Sequence, residues 1–220
     1  MQRIAVEAPV LRKNDEYAAE NRLNFARTGT VTVNMMSAPG AGKTTLLEKT
    51  LRRLPFRCAV IEGDIQTTID ADRIQAVGIP AHQINTTCCH LDAKMIAGAV
   101  ERFPINGVDL LIIENVGNMV CPAAYDLGES FRVMLYSVPE GAEKPRKYPR
   151  MFYQSHCVVL NKIDLAPYTD VSVDELAANV LAVSPQATVI PVSARTGAGL
   201  DAWIEWLTAR VREAKAAVCA

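Results

Sequence analysis

The chain has 220 residues, half of them hydrophobic and 21% charged, enough to bury a full core in one domain without disulfides or a structural metal. Its 23 basic and 24 acidic side chains leave a net charge of −1, which argues against nucleic acid or an anionic membrane as the main partner. No apolar run approaches the roughly 18 to 20 residues needed to span a bilayer. The N-terminus scatters Arg3, Glu7, Arg12, Lys13 and Asp15 among short apolar pieces, unlike a signal peptide, so a cytoplasmic protein is expected.

In chain order, residues 11–28 read as a polar helix with a partial apolar face of Leu11, Tyr17, Ala18, Leu23 and Phe25. It forms an N-terminal extension, 1–28, that packs outside the core. A β-branched and apolar run at 31–36 leads into a glycine-containing turn at 37–42. Leu46, Leu47, Leu51 and Leu54 then continue at helical spacing. Further strands are expected at 58–61, 82–84, 108–113, 131–137, 157–160 and 188–191. Helices are expected at 68–77, 91–102, 173–181 and 200–214. Strands alternating with helices give an α/β fold of P-loop NTPase type, a mainly parallel sheet with helices on both faces. The domain spans 29–215, with a tail at 216–220. Residues 140–150 form a basic, Pro-containing loop, either a solvated face or a contact surface.

Ser37-Ala38-Pro39-Gly40-Ala41-Gly42-Lys43-Thr44 matches the phosphate-binding pattern G-x-x-x-x-G-K-[ST], with Ser37 in place of the first Gly. Backbone N–H groups must wrap the phosphate oxygens, and Gly40 and Gly42 permit that close approach. Pro39, Ala41 and Thr45 complete the binding segment, and the following helix points its N-terminus at the phosphates. Lys43 can bridge the β- and γ-phosphates, and the Thr44 hydroxyl can ligate Mg²⁺. Asp64 after the second strand can also reach Mg²⁺. Glu114 ends a buried strand where a Walker-B acid sits, and Gly117 follows three residues later as a switch glycine. Each acid read alone could be a solvated strand-end carboxylate; their order after a phosphate loop favours the site. No Gln is placed to orient water as in Ras-like switches, and Asp64 is expected in that catalytic role beside Lys43 and Thr44.

Asn161-Lys162-Ile163-Asp164 follows another strand. The Asp164 carboxylate can accept from guanine N1–H and N2–H₂, donors that adenine lacks in that arrangement. Asn161 can tie this loop to the phosphate loop, the Lys162 stem can lie along the base, and Ser193-Ala194 supplies a backbone N–H toward guanine O6. The expected ligands are therefore GTP and GDP with Mg²⁺, and the expected activity is GTP hydrolysis.

Six cysteines lie at Cys58, Cys88, Cys89, Cys121, Cys157 and Cys219, with no regular spacing. Cys89 and His90 precede a helix, and Cys121 follows Gly117 by four residues. Thiolate and imidazole suit Ni²⁺ or Zn²⁺; idle or buried thiols are the alternative. His82, His156, Trp203 and Trp206 read as packing groups, and Cys58 and Cys157 as buried thiols.

Together these stretches resemble the HypB family of hydrogenase maturation GTPases, of the SIMIBI class. The matching segments are 37–48, 60–74 (VIEGDIQTTIDADRI), 85–95 (NTTCCHLDAKM), 113–129 (IENVGNMVCPAAYDLGE), 137–152 and 160–168, and they cover most of residues 31–210. The resemblance implies nickel delivery during [NiFe]-hydrogenase assembly, GTP-linked homodimerisation and a metal site shared across the dimer. It also implies a HypA-like maturation partner and the hydrogenase large subunit as acceptor. Carried over by position, the metal ligands are Cys89, His90 and Cys121, to Ni²⁺ or Zn²⁺, with Cys88 as an extra thiol where the family often has Gly. An N-terminal high-affinity nickel motif and a His-rich storage stretch are not expected, since no Cys precedes Cys58 and the chain holds three His. The related urease accessory GTPases carry Cys-Pro-His, unlike Cys89-His90, and a regulatory GTPase with structural thiols is the third reading. The resemblance also implies that Lys144 and Lys147 reach across the dimer.

Overall fold

The computed structural model describes residues 7–218. Its elements follow one another as α1 (Glu7–Thr28), β1 (Val31–Ser37), α2 (Lys43–Leu51), β2 (Cys58–Asp64), α3 (Ile69–Ala76), β3 (Ala81–Asn85) and α4 (Ala93–Arg102). They continue as β4 (Leu110–Glu114), β5 (Phe131–Ser137), α5 (Lys144–Lys147), α6 (Pro149–Tyr153), β6 (Cys157–Asn161), α7 (Val173–Val183), β7 (Thr188–Pro191) and α8 (Leu200–Val218). The seven strands form one sheet in the order β3-β2-β4-β1-β5-β6-β7. Every pairing is parallel, so the sheet is wholly rather than mainly parallel.

Burial on both faces explains the apolar composition of the strands: β4, Leu-Leu-Ile-Ile-Glu, is buried along its whole length. Successive β1 residues point to opposite faces. Val31, Val33 and Met35 join a core beneath α2, α3 and α8, with Leu46, Leu47, Ile74, Trp203 and Leu207. The opposite face is divided in two. Phe25 of α1 and Ile96 of α4 cover Ile61, Leu111 and Ile113. Met151 and Phe152 of α6 and Leu176 of α7 cover Met134, Tyr136, Val158 and Leu160. Between these clusters the central strand presents two fully buried polar residues, Thr32 and Asn34.

Helix α1 is tied to the body by buried asparagines. Asn21 Nδ2 donates to the carbonyls of Ala93 and Leu127 at 2.8 and 3.0 Å, and Asn14 Oδ1 accepts from Ala93 N at 2.9 Å. Asp92 caps α4 by accepting from Met95 N at 2.8 Å, so that helix starts two residues later than its sequence pattern suggests. Helix α8 continues to Val218, through the first residues assigned to a tail; Cys219 lies outside the described residues.

The segment 140–150 is not a loop. It folds into α5 and α6, and buries Pro145 within that stretch and Met151 and Phe152 just beyond it. Prolines in the first turns of both helices supply the preset φ that helix starts favour, and the apolar pair gives the turn a side to bury.

The strand order reverses around β1, which has β4 on one side and β5 on the other. Such a switch point leaves a crevice at the carboxyl ends of the strands, where Ser37, Asp64, Glu114, Ser137 and Asn161 all emerge.

Candidate functional site

The phosphate loop joins β1 to α2. Gly42 has φ of 99° and begins the helix. A Cβ there would also lie 2.7 Å from Asn161 Nδ2, so only glycine meets both demands. Lys43 is buried, and its ammonium donates to Ser37 Oγ at 2.9 Å and lies 3.9 Å from Glu114 Oε1. The serine replacing the usual first glycine is thus a holder for the lysine. Thr44 Oγ1 donates to Glu114 Oε1 at 3.0 Å, while Glu114 Oε2 is buried with no partner among the described residues.

Glu62, absent from the sequence-derived site, stands beside Glu114 because β2 and β4 pair in that register. Burial first, and then the Glu114 charge, push its carboxyl well above the ordinary range. Burial likewise raises Glu114, against the opposing pull of Lys43. Both effects disfavour two full charges on this pair. A buried, half-satisfied acid pair beside a phosphate-loop lysine and threonine is a donor set of the hard-oxygen kind that suits Mg²⁺. The Asp64 carboxylate is engaged by its own loop, accepting from Ile65 N at 2.7 Å and from the hydroxyl and N–H of Thr67 at 2.5 and 3.1 Å. These bonds hold its pKa down.

The second loop is braced against the first. Asn161 Nδ2 donates to Ala41 O at 2.9 Å, and its Oδ1 accepts from Ala194 N at 3.1 Å. Lys162, at φ of 60°, donates to Gly40 O at 2.6 Å. Asp164 Oδ1 accepts from Ser193 Oγ at 2.6 Å, orienting a half-buried carboxylate at the end of this crevice. Pro39, Gly40, Ala41, Gly42, Glu114, Gly117, Asn161, Lys162, Asp164, Ser193 and Ala194 lie on the loops and strand ends around that crevice, and Lys43, Thr44 and Thr45 on the first turn of α2. Asp64 is on its rim.

Cys89, His90 and Cys121 converge at the other end of the switch segment. Their ligating atoms all lie within 4.8 Å of one another; Cys89 Sγ is 3.0 Å from Cys121 Sγ and 3.7 Å from His90 Nδ1. Tyr125 stacks on His90 with ring centroids 3.8 Å apart, a positioning contact for which the sequence gives no signal. Burial lowers the His90 pKa, which keeps its imidazole neutral and able to ligate at pH 7. Sharing a hydrogen with Cys89 raises the Cys121 thiol. Cys88 is exposed and outside the cluster. Cys58 and Cys157 are buried in strands, with Cys58 pushed up to about 12 by burial. His82 stacks on Phe103, and His156 accepts from Arg132 N, so both are packing groups here.

A family model for the CobW/HypB/UreG nucleotide-binding domain matches residues 31–191. The chain is 50% identical over 207 residues to the hydrogenase maturation factor HypB of Escherichia coli K12, covering 93% of this chain and 71% of that protein. It is 39% identical over 215 residues to the hydrogenase/urease maturation factor HypB of Helicobacter pylori 26695, covering 96% and 89%. Among solved structures, HypB from Helicobacter pylori in complex with nickel superposes with a TM-score of 0.87 at 39% identity, covering 91% of this chain and 96% of that one. The hydrogenase maturation factor HypB from Archaeoglobus fulgidus superposes with a TM-score of 0.85 at 38% identity, covering 91% and 100%. No described helix is long and apolar enough to cross a membrane.

Proposed function

The chain belongs to the CobW/HypB/UreG family of nucleotide-binding proteins, and from that premise we propose that it is a GTP-hydrolysing nickel carrier for [NiFe]-hydrogenase maturation, working in the cytoplasm. One observation carries the reading: a Cys–His–Cys cluster, whose Cys121 follows the switch glycine by four residues and whose Cys89 and His90 come from the β3–α4 connection, sits in the same domain that holds the nucleotide crevice. A nucleotide site alone would describe any regulatory GTPase.

In this reading Asp164 selects guanine, Asn161 and Lys162 brace the base loop, and Ser193 and Ala194 close it. The backbone of 39–44 wraps the phosphates, and Lys43 leaves Glu114 to neutralise the β- and γ-oxygens. Thr44 and Glu114, with Glu62 behind and Asp64 at the rim, are the residues that would hold Mg²⁺, which supplies further neutralisation of phosphate charge. Asp64 orients the attacking water once its turn opens. Cys89, His90 and Cys121 hold nickel, or zinc in its place. Three ligands with Cys89 exposed leave room for a further donor, and a second copy of the chain meets that need. The GTP-bound homodimer, a HypA-like nickel donor and the hydrogenase large subunit as acceptor complete the scheme. The name of the Helicobacter relative favours urease as a second destination.

Two measurements test the reading: phosphate release from GTP against ATP, and nickel stoichiometry by metal analysis of the purified protein. GTP-selective turnover with cysteine-dependent nickel, one ion per shared site, is expected. Equal turnover of ATP would sink the guanine assignment, and absence of cysteine-dependent nickel would leave a GTPase with no metal role.

A further inference from the structure

The polar gap in the second face of the sheet leads to the metal cluster. Asn115 directly follows Glu114 and is buried. Its Oδ1 accepts from Leu91 N at 3.1 Å and from Val116 N at 3.0 Å, and its Nδ2 donates to Asn34 Oδ1 at 3.2 Å. Asn34 Nδ2 donates to Glu129 Oε1 at 3.3 Å. Glu129 also accepts from Leu127 N and from Arg132 Nε, and Arg132 Nη2 donates to Tyr125 O at 3.2 Å. Leu91 adjoins His90, and Tyr125 is the ring stacked on His90. The network therefore reaches the imidazole from two sides.

Asn118 makes the complementary link. Its backbone N–H donates to Ser37 O at 2.9 Å, inside the phosphate loop. Its side-chain Oδ1 accepts from Val120 N at 2.7 Å and Cys121 N at 3.4 Å. Between the two asparagines, Gly117 lies so close to the phosphate loop that a Cβ there would be 2.9 Å from Pro39 Cα. A buried polar network is costly unless satisfied, and a satisfied one fixes a single geometry.

We propose that Asn115 and Asn118 are positioning residues that connect nucleotide state to nickel affinity, Asn115 holding the His90 half of the metal site and Asn118 the Cys121 half. The proposal rests on the nucleotide-linked nickel delivery described above. A shift of Gly117 against Pro39 moves both anchors, because both flank it. That shift changes the spacing of His90 and Cys121, and so gives the two nucleotide states different affinities for the ion.

The test is titration of the full chain with Ni²⁺ alone, followed by thiolate-to-nickel absorbance, in GDP and in a non-hydrolysable GTP analogue. Wild type should show affinities differing by about fivefold or more between the two states. Asn118→Ala, at a half-exposed position, should bind both nucleotides and nickel but bring that ratio to within about twofold. Asn118→Asp keeps an acceptor oxygen and should restore it. Asn115→Asp, which keeps the acceptor and removes the donor to Asn34, should alter the nickel absorbance band in both states. An Asn118→Ala ratio equal to wild type, or an unchanged band in Asn115→Asp, overturns this assignment and leaves the proposed function standing. A wild-type ratio of one overturns the linkage itself.

Discussion

Lys43 has partners within the chain: the Ser37 hydroxyl and, further off, the Glu114 carboxylate. Binding of a triphosphate must compete for it, and the phosphate charge makes that competition favourable. Lys43→Ala should therefore cut GTP turnover by about 10³-fold or more, read as phosphate release at saturating GTP. Asp164→Asn keeps the Ser193 contact geometry but turns an acceptor pair into a donor and an acceptor. GTP affinity should fall about 100-fold, with xanthosine triphosphate gaining; retained GTP affinity would refute the base assignment. The cysteines separate in the same way. Cys58 and Cys157 are buried, with thiols raised by desolvation, so alkylation of the folded protein should spare them and mark Cys88, Cys89 and Cys121. Nickel should protect Cys89 and Cys121 but leave Cys88 reactive. Mass mapping that finds Cys88 protected equally would add it to the ligand set. Because the ligating thiols must lose protons, nickel binding should release acid and weaken as pH falls.

At the scale of elements, the clearest energetic link is between α8 and the start of β4. Asp109 accepts from Arg57 N at 2.9 Å and Arg57 Nε at 3.2 Å, and from the Lys215 ammonium. The Lys215 hydrogen bond is the main cause of a carboxyl pKa far below the ordinary range. A depressed folded-state pKa means that the stabilisation is present above the unfolded value, near 4, and is lost as pH falls below it. Asp109→Asn should then lower stability by about 1 kcal/mol at pH 7, with the difference from wild type shrinking as the pH drops below about 4. An equal difference at pH 7 and pH 2.5 in thermal melts would remove the charge from that explanation. The α5–α6 segment makes the contrary point about elements. Its cations suggested a loop, yet Pro145, Met151 and Phe152 are buried, while Arg146, Lys147 and Arg150 face solvent. Charge patterning marked the exposed half and concealed the packed half.

For the whole molecule, Lys147 pairs with Glu143 at 2.5 Å and Lys144 lies over the Tyr148 ring at 5.4 Å, so both cations are held on one short helical turn. If they reach a second copy, sedimentation should give more dimer with a GTP analogue than with GDP, and Lys144→Ala/Lys147→Ala should remove the excess. Equal association in all cases would leave the turn a solvated face. Much of this protein is legible locally. A phosphate loop, a guanine loop and their flanking strands are short-range patterns, since each needs a strand, a tight turn and a helix start in succession, and the residues for them are contiguous. The convergence of Cys89, His90 and Cys121 came from family resemblance rather than spacing, because 32 residues separate the two thiols and no local rule joins them. Other features depended on strand order. Glu62 meets Glu114 only because β2 pairs with β4, and Asn34 meets Asn115 and Glu129 only because β1 lies between β4 and β5. The sequence by itself determined the loops that can bind a nucleotide, because backbone conformation and donor chemistry are properties of neighbouring residues. The tertiary structure alone decided which buried polar groups face one another across the sheet, because partners brought together from distant segments are set by the packing of the whole chain.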